Sequence, residues 1–137
     1  VRVVFADTGY WVALLNPHDE LHDKAIELSK SLNPVHIVTS EMVLTEVLND
    51  FSKRGDYLRQ VATKLIDIIN DDPNTTVVAQ TSNQFQQGLE LYKNRLDKNW
   101  SLTDCVSFKI MEDMGIYEAL AYDKHFKQAG FESLLRD

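Results

Sequence analysis

Val1-Arg2-Val3-Val4-Phe5-Ala6-Asp7-Thr8-Gly9-Tyr10-Trp11-Val12-Ala13-Leu14-Leu15-Asn16-Pro17 is the stretch whose reading decides the fold. Val1 to Ala6 is an apolar run of strand length. Thr8 to Asn16 reads as a helix closed by Asn16-Pro17, since the residue before a proline is pushed out of helical geometry. A strand that passes directly into a helix is the opening of an α/β unit. Asp7 stands at the junction.

The pattern repeats along the chain. Asp19 to Leu32 is an amphipathic helix with Leu21, Ala25, Leu28 and Leu32 on one side, ended by Asn33-Pro34. Val35 to Val38 is the next strand. Thr39-Ser40 caps a helix from Glu41 to about Arg54, with Val43, Leu44, Val47, Leu48 and Phe51 as its buried stripe and Gly55 as its stop. Asp56 to Asn70 is a further helix, Asp71-Asp72-Pro73-Asn74 a loop, and the β-branched Thr75-Thr76-Val77-Val78 a strand. Ser82 to about Leu96 and Leu102 to Met114 are helical, the second ended by Gly115. Tyr117 to Tyr122 and Phe131 to Leu135 are the last strands. Helix-length connections favour parallel pairing through right-handed crossovers. The expected fold is therefore α/β, a three-layer α/β/α sandwich with a mainly parallel central sheet of four or five strands, residues 1–137 forming one domain.

Composition bounds the function. A chain of 137 residues buries about two-thirds of its unfolded surface in a single core. Nothing approaches the ~18 consecutive apolar residues of a membrane span, and the N-terminus lacks the pattern of a signal peptide. A soluble, cytoplasmic protein is expected. The single cysteine, Cys105, leaves no intrachain disulfide framework and reads as a core residue on an apolar helix. A net charge of −7 argues against a broadly basic surface that would hold nucleic acid by phosphate neutralisation alone. Lys53-Arg54, the Lys93, Arg95 and Lys98 group, and Lys124 with Lys127 read as solvated helix faces.

Asp104 sits within Trp100-Ser101-Leu102-Thr103-Asp104-Cys105-Val106-Ser107-Phe108, a helix start that is otherwise nearly all apolar or small. A lone carboxylate is costly to bury without a partner or a cation. A structural role is available: Ser101-x-x-Asp104 is an acidic variant of the capping box, and Asp7 and Asp123 stand where N-caps stand. Yet ligands of an open parallel sheet bind outside the carboxyl ends of its strands. Asp7 and Asp123 each follow a strand directly, so both lie on that rim. Glu46, beside Asp50 one turn away, flanks the apolar stripe of its helix, and periodicity alone reads it as a boundary residue.

Four blocks resemble the PIN domains, and within them the VapC-like toxin ribonucleases of toxin–antitoxin pairs. They are Ala6-Asp7-Thr8-Gly9-Tyr10-Trp11-Val12-Ala13-Leu14, Thr39-Ser40-Glu41-Met42-Val43-Leu44-Thr45-Glu46-Val47-Leu48-Asn49, Ser101-Leu102-Thr103-Asp104-Cys105-Val106-Ser107-Phe108, and Ala121-Tyr122-Asp123-Lys124-His125-Phe126 with Ala129-Gly130-Phe131. The resemblance runs the length of the chain, with each block's acid in place and the blocks in order. It implies that Asp7, Glu46, Asp104 and Asp123 are an acidic quartet binding one or two magnesium or manganese ions. Thr8 and Thr103 match hydroxyl positions beside those acids, and His125-Phe126 matches the segment after the last acid. Gly9 departs from the small hydroxyl residue often found there. The implied activity is metal-dependent endonucleolytic hydrolysis of RNA, leaving a 5′-phosphate and a 3′-hydroxyl. The implied partners are an antitoxin and a second copy in a homodimer, with no membrane.

The chemistry agrees with the residue types. Carboxylates without clustered Cys or His form a hard oxygen site, which suits magnesium or manganese and disfavours zinc. Lys124, directly after Asp123, is the expected RNA contact. Competing patterns fall short: His18-Asp19-Glu20-Leu21-His22 lacks the glutamate that a zinc protease places after its first histidine. Two other readings share the fold, a PIN nuclease that processes RNA without an antitoxin and a non-catalytic binding module.

Overall fold

The computed structural model describes residues 1–136. Strand β1 (Arg2–Ala6) leads into helix α1 (Thr8–Leu15), followed by α2 (His22–Ser31), β2 (Val35–Ser40), α3 (Glu41–Phe51), α4 (Asp56–Asp71), β3 (Thr75–Val78), α5 (Ser82–Asn94), α6 (Leu102–Met114), β4 (Glu118–Leu120), α7 (Lys124–Gln128) and β5 (Glu132–Ser133). The strands form one sheet in the order β3-β2-β1-β4-β5, every pair parallel. This is the three-layer α/β/α sandwich that the alternation implies. Val4, Phe5 and Ala6 of the central strand are all fully buried, as expected of a parallel strand covered on both faces.

Register carries the site. Phe5 pairs with Val38 and Ala119, and Ala6 with Leu120, so β1, β2 and β4 end level with one another. The order reverses at β1, whose neighbours lead outward in opposite senses, and such a switch point opens a crevice at the carboxyl ends of the strands. A buried hydrogen-bond chain ties these ends together: Trp11 Nε1 donates to Thr39 Oγ1 at 3.2 Å, and Thr39 Oγ1 donates to the Ala6 carbonyl at 2.9 Å. Trp11 is therefore a core residue.

Helix α6 is nearly enclosed, with Thr103 through Phe108, Ile110 and Met111 buried. Its start is pinned by Ser101 and its end by Gly115 in the left-handed conformation, φ +67°. Phe108 gathers Trp100, Phe126 and Phe131 at centroid distances of 5.0, 4.9 and 5.7 Å. Opposite, α5 approaches closely at Gly88, where a Cβ would collide with Val106 Cγ2.

Several local expectations are amended. Helix α2 starts at His22 rather than Asp19, because the Asp19 carboxylate accepts from the Leu21 amide and folds those residues into a turn. His18 and His22 accordingly share no helix face, and His22 Nδ1 bonds the Ala13 carbonyl at 2.7 Å. Helix α3 ends at Phe51, where Ser52 Oγ donates to the Asn49 carbonyl and the Arg54 amide to that of Phe51. Leu48, assigned to the buried stripe, is 37% exposed. β4 and β5 are shorter than their apolar runs, and α7 is a five-residue helix between them.

Candidate active site

A cavity of about 570 Å³ opens at the carboxyl ends of β1 and β4. Asp7, Glu46, Asp104 and Asp123 all line it, as do Thr8 and His125. Each acid is delivered by a different connection. Asp7 occupies the N-cap position of α1, where its side chain makes no cap hydrogen bond. Glu46 projects from the middle of α3, and the Thr8 hydroxyl donates to its Oε1 at 2.6 Å. Asp104 is the third residue of α6, and Asp123 is the N-cap of α7.

For Asp104 the structural role and the cleft coincide. Its Oδ2 accepts from the Ser101 amide at 3.1 Å while Ser101 Oγ accepts from the Asp104 amide at 3.0 Å, so the acidic capping box is formed. The same Oδ2 accepts from His125 Nδ1 at 2.8 Å. An ionised carboxylate only accepts, so this contact calls for a ring hydrogen on Nδ1. Asp123 Oδ1 caps α7 through the His125 amide at 3.0 Å and lies 3.8 Å from the His125 ring. Asp104, Asp123 and His125 present ligand atoms that all lie within 4.8 Å of one another.

Burial makes this an unfavourable place for anions. Asp7, 7% exposed, has its carboxyl held well above the usual carboxylate range, first by burial and then by the charges of Asp104, Asp123 and Glu46, with the Thr8 amide offsetting part. Asp104 is raised by burial and by Asp123, against the Ser101 amide and His125. A cation would relieve the repulsion. Carboxylate oxygens with one imidazole beside them make a donor set that a divalent ion fits. Cys105, adjacent to Asp104 and fully buried, has its thiol pushed up to about 11 by burial, which leaves it an inert core residue.

Two other expected residues lie outside the cavity wall. Thr103 is buried on α6, and Lys124 is exposed on α7. The wall also includes residues that the sequence reading did not assign to the site: Asp19, Asp50, Arg54, Ser101 and Tyr122. Arg54 clasps Asp50, with Nε to Oδ2 at 2.9 Å and Nη2 to Oδ1 at 3.2 Å. The only signal for that pair in the sequence is its i, i+4 spacing, which is common on solvated helices.

Comparison with known proteins identifies the family. The chain is 32% identical over 131 residues to the 23S rRNA-specific endonuclease VapC20 of Mycobacterium tuberculosis, covering 94% of this chain and 95% of that protein. It belongs to the VapC-like PIN-domain ribonucleases. No family model matches the chain. The crystal structure of M. tuberculosis VapC20, described as a sarcin–ricin loop cleaving toxin, superposes with a TM-score of 0.84 at 30% identity, covering 93% of this chain and 95% of that one. VapBC2 from Rickettsia felis, bound to a promoter DNA fragment, shares the fold with a TM-score of 0.66 at 14% identity, covering 96% of each chain. The protein is thus an endoribonuclease of the toxin–antitoxin class. Among the described residues no helix is long and apolar enough to cross a membrane.

Proposed function

We propose that this VapC-like ribonuclease hydrolyses RNA phosphodiesters with magnesium or manganese held by Asp7, Glu46, Asp104 and Asp123, residues 1–137 acting as one catalytic domain. The observation that carries the reading is the convergence of four carboxylates, two from each half of the chain, on one strand-end cavity. Such crowding disfavours the anions that it assembles. A module that only binds protein has no use for that cost. The bound ion supplies charge that polarises the phosphodiester and makes water a better nucleophile at neutral pH.

The remaining roles belong to the protein. Thr8 fixes the Glu46 carboxylate through its hydroxyl, and the Ser101 amide and His125 fix that of Asp104. Asp123 is oriented by the His125 amide. These contacts hold the carboxylates before substrate arrives, so less ordering remains at the moment of reaction. The His125 ring, anchored by Asp104, lines the cavity beside the acids. Thr103 is buried at the start of α6, directly before Asp104. Lys124 is placed to meet RNA only outside the cavity.

The VapC20 relative names 23S rRNA as its target, and a loop of structured RNA is the substrate class proposed here. A cognate antitoxin and a homodimeric state complete the proposal. Sequencing RNA 5′-ends after induction of the wild type and of Asp7→Asn tests it. Discrete new 5′-ends with the wild type alone are expected, and indistinguishable profiles overturn it.

A further inference from the structure

Six carboxylates line the cavity, those of Asp7, Asp19, Glu46, Asp50, Asp104 and Asp123, and Arg54 is the one lysine or arginine among its lining residues. Its position follows from the sequence: Glu46, Asp50 and Arg54 recur at intervals of four, so the last turn of α3 and the residues just beyond it continue the edge that carries Glu46 into the cavity. The side chain is not loose. Asp50 takes Nε and one hydrogen of Nη2, and the guanidinium lies over the Phe51 ring with Cζ 5.7 Å from its centroid. Phe51 is fully buried. Asp19, on the other wall, adds its field to the same group.

We infer that Arg54 is a substrate-binding residue that grips an RNA phosphate beside the scissile one, while Asp50 occupies part of its fork. The inference rests on the ribonuclease reading above. A guanidinium has five donors in a rigid fork, and Asp50 uses two, leaving the Nη1 pair and the second Nη2 hydrogen to meet two phosphate oxygens. The need is electrostatic: a protein of net charge −7 lines its cleft with acids, and RNA brings further negative charge. A fixed cation beside the acids draws the backbone along the wall without occupying the quartet. Lys124, exposed outside that wall, is not placed to do this.

The test combines steady-state cleavage of an oligoribonucleotide hairpin with a single-stranded loop, in manganese, with its binding to the cleavage-deficient Asp7→Asn background across a salt series. Arg54→Gln is expected to raise KM about tenfold while kcat holds, the signature of a contact made equally in ground and transition states. The slope of log affinity against log salt should fall by roughly 0.7, one phosphate on a single strand. Arg54→Lys should keep that slope and recover part of the affinity. Asp50→Asn, which frees the guanidinium and removes an acid, should lower KM. An Arg54 that serves only its ion pair would give the opposite: Arg54→Gln and Asp50→Asn raising KM alike, or Arg54→Gln leaving both KM and slope unchanged. Either result overturns the inference while wild-type cleavage stands. Absence of wild-type cleavage sinks the ribonuclease reading itself.

Discussion

Asp7→Asn should make the metal-free protein more stable and the metal-loaded protein relatively less so. The wild-type carboxylate is 7% exposed and shares its cavity with Glu46, Asp104 and Asp123. Asparagine keeps the shape and an oxygen for the Thr8 amide but drops the charge. Relief of burial and repulsion should contribute on the order of 1–2 kcal/mol, or about 3–10 °C in Tm for a domain of this length. The sign with pH follows from the direction of the shift. A carboxyl raised above its ordinary 3.8 penalises the fold in full above its folded value, and the penalty fades as pH falls toward 3.8. The advantage of Asp7→Asn should therefore be largest at neutral pH and shrink on acidification. Manganese at a hundredfold excess over Kd adds about 2.7 kcal/mol to whichever protein binds it. Differential scanning calorimetry with and without manganese reads all of this. A metal-free variant less stable than wild type, or equal manganese shifts in both proteins, would refute the reasoning.

Three further outcomes are expected. Asp104→Asn should weaken manganese or magnesium binding sharply in titration calorimetry while costing no more than the ~1 kcal/mol of a cap, since its amide oxygen still accepts from Ser101; unchanged affinity would return Asp104 to a purely capping role. Glu46→Gln should remove metal-dependent RNA cleavage with circular dichroism unaltered, and retained activity would exclude it from the site. Gly88→Ala should destabilise by about 1–3 kcal/mol, because the added methyl meets Val106; an unchanged Tm in thermal denaturation would show that α5 and α6 yield freely.

What could be read from the sequence was the part encoded locally. Ser101 and Gly115 bracket α6 because caps and left-handed stops are single-residue chemistry, and both stand where they were expected. Strand alternation carried the parallel sheet, since helix-length crossovers leave few other options. Asp7 and Asp123 could be placed on one rim from their positions after strands. Glu46 could not: periodicity left it at a helix edge, and only family resemblance nominated it for the cavity that it lines. Arg54 read as part of a solvated helix face and Asp19 as a helix start, because their place in the wall depends on how two turns fold toward each other, and no spacing within either turn records that. Leu48 misled for a related reason, lying on the apolar stripe but facing a neighbour that covers it incompletely.

The position of β1 at the centre of the sheet, between β2 and β4, has a consequence for synthesis on the ribosome. Asp7 and Glu46 emerge early, but β4 and the turns carrying Asp104 and Asp123 come from the far end of the chain. At ordinary translation speeds roughly 4–15 s separate residue 46 from residue 123. Throughout that interval the nascent chain holds half of the proposed quartet and lacks one neighbour of its central strand. A nuclease built in this order is born inert beside the RNA machinery that makes it, and its cleft closes into working form only when the last strands arrive.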